Sequence, residues 1–291
     1  MSKTNRNGLR AMTRGAYDIQ KLRIEMGNRV VANWKAKRGQ APGEKEEEID
    51  EDAKAILDSL RENYSRITDG MVKLPKLKDF EGDEVISDYV ELCLVDQYVK
   101  LLVRETEHFR QLETVLKDFP IWTEFLQGVR GCGPAMASVI VSEFDITKAR
   151  YASSLWRYAG LDVAADGRGR SRRKEHLQEV EYTDKDGKPT TKQGITFNPW
   201  LKTKLVGVLG TCFLRSGGPY REVYDAYKVR LENHAKYGLT TDTSKLHRHN
   251  MAIRYMVKRF LADLYVAWRT LENLPVEQEY SEAKLGRTHA A

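Results

Sequence analysis

Cysteine is scarce in this chain. Cys93, Cys132 and Cys212 are its only three, widely scattered and never in a C-x-x-C pair. That excludes a disulfide framework or a cysteine zinc site and fits a reducing cytoplasm. No apolar run approaches the roughly 18 residues of a membrane span, and the basic N-terminus lacks the apolar stretch of a secretory signal. A cytoplasmic protein without a membrane partner is expected. Acidic residues are many, but none falls into a D…E…D frame on expected strands, so no sheet is available to hold a two-metal nuclease centre. The Gly-Arg stretch GRGRS does not match G-x-x-x-x-G-K-[ST], which excludes a Walker-type phosphate loop. His247 and His249 form H-x-H on an expected helix, where the two rings face different directions, and no partner acids accompany them. No metal and no cofactor is expected. There is no internal repeat.

Basic charge in uneven blocks is what the chain does have. Its net charge is +6 and its isoelectric point is near 9.0, a bias toward polyanions. Residues 1–39 carry ten Lys and Arg against Asp18 and Glu25 alone, whereas residues 44–52 carry seven acids and one lysine. A basic arm followed by an acidic solvated segment is the reading.

The most telling stretch is LQGVRGCGPAMASVIVSEF, residues 126–144. Gly131 and Gly133 stand one residue apart, Pro134 follows, and a helix rich in small residues comes next. This G-x-G-x-x-x-A layout is that of a helix-hairpin-helix. The glycines permit a tight turn and positive φ, and leave the backbone amides open to a phosphate. Pro134 suits the first position of a helix whose N-terminus attracts anions. Such a motif grips phosphates without reading sequence.

The expected fold is mainly α, with a helical N-terminal region, long coiled-coil-like helices, and a helix-hairpin-helix C-terminal domain carrying one inserted β-hairpin. Residues 8–38 read as a basic helix broken by GQAPGE, and 46–67 as a second helix. From 83 to 117 Val85, Leu92 and Val99 recur every seven residues, either a dimer seam or an intramolecular helical hairpin; Asp96 and Thr106 interrupt it. FPIW at 119–122 ends that helix. Ser153 is expected to cap a short helix that Gly160 ends. EVEYTDKDGKPTTKQGITF holds two alternating runs around Asp186-Gly187, a strong β-hairpin signal. Asn198 caps and Pro199 starts the next helix, to about Leu214. SGGPY precedes a helix over 221–236, and the last begins near Ser244 and runs to about Glu272. The boundaries are 1–82 for the basic region and linker, 83–119 for the long helix, 120–274 for the hairpin domain and 275–291 for a frayed tail.

Candidate nucleic-acid contacts fall in three places. The first is Arg130 with the amides of Gly131 and Gly133. The second is Arg168, Arg170, Arg172, Arg173 and Lys174, five cations in seven residues among glycines, which reads as a loop that folds on a polyanion. The third is the last helix, with Lys245, Arg248 and Arg254. Trp156, Trp200 and Tyr182 are placed either to stack bases or, as ordinary core and hairpin residues, to pack.

GVRGCGPAMASVIVSEF, SSLWRYAGLDV, the Gly-Arg stretch, NPWLKTKLVGVLGTCF and KLHRHNMAIRYMVKRFLADLY stand in an order that resembles the C-terminal domain of the bridge-RNA-guided insertion-sequence transposases of the 110/116/902 class. The resemblance covers about residues 120–272, and residues 83–117 correspond to that family's coiled coil. It implies a mobile-element or phage setting, a DNA or structured-RNA partner, self-association and DNA recombination. Two departures accompany it. The chain opens MSKTNRNGLRAMTRGAYDIQ, with no counterpart of the family's ribonuclease-H-like DEDD domain. The family's serine-bearing turn after Y-A-G-L falls near Gly167 and Arg168, leaving Ser171, three or four residues later, as the nearest hydroxyl. Three readings result. The leading one is a nucleic-acid-binding protein that grips phosphate. The others are a recombinase acting through Ser171 with a partner protein, and a structural protein that oligomerises through residues 83–117.

Overall fold

The structure, a computed structural model, describes residues 3–39 and 51–278. These residues are mainly helical, with a two-stranded antiparallel hairpin. The chain divides into two compact units, one spanning Ala11–Gln111 and the other combining the described parts of Met1–Arg10 and Leu112–Ala291.

The first unit is a three-helix assembly. It takes most of α1 (Lys3–Lys37), all of α2 (Glu51–Ile67) and most of α3 (Tyr89–Leu116). Its core is Val30 and Val31 from α1, Leu57 and Leu60 from α2, and Leu92, Val95 and Tyr98 from α3, closed by Ile86. The helix expected from residue 83 starts only at Tyr89, so Val85 lies before α3; Leu92 is buried in this core, with Val85 and Val99 packed partly buried against it, so the row has an intramolecular packing partner. Asp96, which interrupts the row, is buried and accepts from Tyr64 Oη at 2.7 Å and Lys100 Nζ at 2.8 Å. The basic character of α1 is partly spent on the same unit. Arg23 pairs with buried Glu105 at 2.6 Å, and Lys37 with buried Glu91 at 2.8 Å. The GQAPGE break beyond Gly39 and most of the acidic block lie outside the described residues.

In the second unit Pro120 opens α4 (Pro120–Glu124), a 3₁₀ turn covers Leu126–Gly128, and α5 runs Pro134–Glu143. α5 is buried almost all round. α6 (Ala152–Tyr158) starts one residue before the expected Ser153 cap. Its N-cap is Tyr151, whose amide donates to Ser154 Oγ at 3.4 Å. Gly160, at φ +65°, ends it as expected. β1 (Gln178–Thr183) and β2 (Pro189–Gly194) pair with Tyr182 opposite Thr190. Asp184 accepts the amides of Asp186 and Lys188, fixing the turn where Gly187 supplies φ +79°.

Asn198 accepts the amide of Leu201 at 3.0 Å and caps α7 (Pro199–Thr203). The helix then widens to a π-helix over Lys204–Leu209 and resumes as α8 (Gly210–Ser216). Gly217 and Gly218, both at positive φ, turn the chain into α9 (Pro219–Glu232). Ser244 caps α10 (Lys245–Leu271), accepting the amide of His247. Leu201, Leu209, Phe213, Met256, Phe260 and Leu264 meet in the core. Arg10 grips the buried Glu143 through two hydrogen bonds, and Asn198 Nδ2 donates to the same carboxylate at 2.7 Å, tying α1, α5 and α7 together. The start of the expected frayed tail is tied down, because Pro275 O accepts from Arg269 and the Glu277 amide donates to Tyr265 Oη. Residues 279–291 lie outside the described residues.

Candidate nucleic-acid interface

The Gly131 turn packs on the end of α8. Gly131 has φ +93°, and a Cβ there would sit 2.6 Å from Ser216 Oγ and 3.0 Å from the Phe213 ring, so only glycine fits. Gly133 departs from the expectation of positive φ. It is extended at φ −75°, ψ 175°, and is the N-cap residue of α5. Neither glycine amide donates a hydrogen bond among the described residues, and Gly133 is exposed. Arg130 is exposed and leans over Gly218.

The loop between α6 and β1 carries the densest charge and is already built by its own hydrogen bonds. The Arg170 amide donates to Asp162 O at 3.0 Å, and that of Ala164 to Arg168 O at 2.8 Å. Arg170 was expected to reach a polyanion freely. Instead it is 8% exposed and holds Asp162 Oδ2 through Nε at 2.8 Å. Lys202 Nζ, reaching across from α7, donates to the Arg170 carbonyl. Around this anchored root Arg168, Arg172, Arg173 and Lys174 are exposed, and their side chains form no ion pair among the described residues.

Ser171 sits at the edge of this root. Its Oγ lies 2.9 Å from His176 Nδ1, and its amide donates to the same nitrogen at 3.0 Å. A backbone amide only donates, so Nδ1 is the acceptor and the ring proton is on Nε2. That proton points at Asp166 Oδ2, 3.1 Å away. His176 is buried, and its hydrogen bond holds the exposed Asp166 carboxyl below the usual carboxylate range. The result is a Ser-His-Asp chain folded within eleven residues, from Asp166 to Ser171 and His176. Nδ1 shares its lone pair between the Ser171 hydroxyl and amide.

The α10 candidates separate. Lys245 is exposed at the first turn. Arg248 is 7% exposed, and its Nη1 donates to the carbonyls of Tyr237, Gly238 and Thr243, so it pins the loop before α10 rather than facing solvent. Arg254 is half-buried beside Gly169, where a Cβ would fall 1.6 Å from its Nη1. Asp162, Lys202 and Lys258, which no motif in the sequence marks as site residues, gather here too. The available signal was the four-residue spacing of Arg254 and Lys258, one helical turn. Burial pulls Lys202 down to about 8, helped by the Arg254 charge, and lowers Lys258 as well. Trp156 Nε1 donates to Lys258 O, so this tryptophan is a packing residue. Tyr182 is exposed on the hairpin under Lys192 Nζ, 4.3 Å from the ring centroid, and Trp200 lies beneath Lys204.

No protein family, curated protein or solved structure matches the chain. No described helix is long and apolar enough to cross a membrane.

Proposed function

We propose that the unit built on residues 112–278 binds a nucleic-acid phosphate backbone, with the loop 167–174 as its principal contact. The observation that carries this reading is the loop itself: four exposed cations that form no ion pair among the described residues, on a root fixed by Arg170, Asp162 and Lys202. A preformed loop spends little ordering entropy on binding. The open amides of Gly131 and Gly133, Arg130 and Lys245 supply further contacts of the same sequence-independent kind. The order of segments, which resembles that of the transposase C-terminal domain, agrees with the reading and suggests a mobile-element setting. The test is fluorescence anisotropy with labelled DNA and RNA oligonucleotides. Arg172→Ala with Arg173→Ala should weaken binding about tenfold with unchanged circular dichroism. Unchanged affinity would overturn the assignment.

One observation favours a second reading, serine-dependent strand cleavage. Ser171 Oγ is hydrogen-bonded to His176 Nδ1, the ring is itself oriented by Asp166, and cations flank it. In that reaction Oγ forms the bond to phosphorus and its proton passes to His176 Nδ1, while the bond from phosphorus to the sugar oxygen breaks and that oxygen takes a proton from water to leave as a hydroxyl. Ser171→Ala should abolish cleavage while sparing binding; full activity in that variant removes the serine from the mechanism.

A further inference from the structure

The surroundings of Asp162 hold more positive charge than the protein neutralises. Arg170 from the loop, Lys202 from α7, and Arg254 and Lys258 from one face of α10 all interact electrostatically with this single carboxylate. Four cations meet one anion. Arg170 takes Asp162 Oδ2, while the buried Oδ1 has no hydrogen-bond partner among the described residues. Lys202 is satisfied only by a carbonyl. The side chains of Arg254 and Lys258 donate no hydrogen bond and form no ion pair among the described residues, although both residues are half-buried. Burial of unpaired like charges is unfavourable, and a protein keeps such an arrangement where a ligand supplies the counter-charge.

The walls add to the effect. Lys258 Nζ lies 5.4 Å from the Trp156 ring and Lys202 Nζ 4.8 Å from the Phe197 ring, so the cations stand against aromatic surface that screens poorly. The arrangement is also sterically built. Any side chain at Gly169 would collide with the Arg254 guanidinium, and any at Gly160 with Phe197. Glycine at both places lets the loop backbone and the aromatic wall close around the charges.

We infer that Arg170, Lys202, Arg254 and Lys258 form a discrete pocket for one phosphate group. Two guanidinium forks and two ammonium groups match a tetrahedral anion with several oxygens better than a planar carboxylate or a halide. This goes beyond the proposed backbone binding, which uses the exposed loop tips, and stands or falls separately from it. The phosphate comes either from a nucleic-acid backbone or from a free phosphate.

The experiment is calorimetric titration of the full chain with inorganic phosphate at pH 7 and fixed ionic strength. Saturable binding is expected, weakened at least tenfold by Arg254→Gln and by Lys258→Gln. Both variants should be no less stable than the parent without phosphate, because each removes a repelled charge; this separates a lost ligand from a lost fold. Arg172→Gln with Arg173→Gln should bind inorganic phosphate like the parent while losing oligonucleotide affinity. Phosphate that displaces a bound oligonucleotide identifies the backbone as the source, and simultaneous binding identifies free phosphate. Absence of saturable phosphate binding, or Arg254→Gln binding as tightly as the parent, overturns the pocket. Phosphate binding without any oligonucleotide binding would leave the pocket standing and remove the nucleic-acid reading.

Discussion

The charge excess around Asp162 makes stability depend on pH in a way that Lys202 isolates. Burial and Arg254 bring the Lys202 ammonium from its ordinary 10.5 to about 8. Between those values the unfolded chain holds this proton more firmly than the folded one, so unfolding takes up a proton and stability rises with pH. The cost of the charged lysine is fully present below about pH 8 and is lost as pH approaches 10.5. At 1.36 kcal/mol per pH unit its ceiling is about 3 kcal/mol. The side chain is partly exposed, so solvent screening reduces that to about 1 kcal/mol. Asp162, Arg170, Arg254 and Lys258 also face this site, and none of them is removed by Lys202→Met. Urea denaturation of parent and Lys202→Met between pH 7 and 10.5 should therefore show the parent gaining about 1 kcal/mol relative to the variant. A flat difference, or one that falls with pH, would refute the view that burial, with the Arg254 charge beside it, disfavours the charged lysine.

Two further substitutions separate architecture from binding. Gly160→Ala puts a Cβ at φ +65° and 2.4 Å from Phe197, which should cost about 3 kcal/mol in thermal or chemical denaturation; a loss below about 1 kcal/mol would contradict the packing described. Arg248→Met leaves three loop carbonyls without their donor and should cost about 2 kcal/mol, while the salt dependence of oligonucleotide binding stays unchanged.

Features set by neighbours in sequence were legible in advance. The Asn198 and Ser244 caps, the turn at Gly187 and the helix end at Gly160 each depend on residues within one turn of each other. Gly131 and Gly133 looked equivalent in sequence, yet the packing of α8 against the turn forces positive φ only on Gly131. The Leu92 row gave two answers because a seven-residue spacing does not say whether the partner helix lies in the same chain. The cationic cluster was the least legible. Asp162, Lys202 and Lys258 come from a loop and two helices far apart in sequence, and a lone lysine on a helix looks like surface until the fold brings Arg254 beside it. Arg248 and Arg170 misled for the opposite reason: a basic residue in a basic stretch gives no sign that loop carbonyls or a single aspartate will claim it.

Backbone binding by the loop 167–174, as proposed, runs through its exposed cations. The most direct measurement is the salt dependence of binding to a duplex, with parent and the Arg172→Ala, Arg173→Ala double variant compared across potassium chloride concentrations. Each lost phosphate contact lowers the slope of log K against log salt by about 0.9, so the double variant should be shallower by about 1.8. Parallel lines for the two proteins would contradict phosphate contact by Arg172 and Arg173.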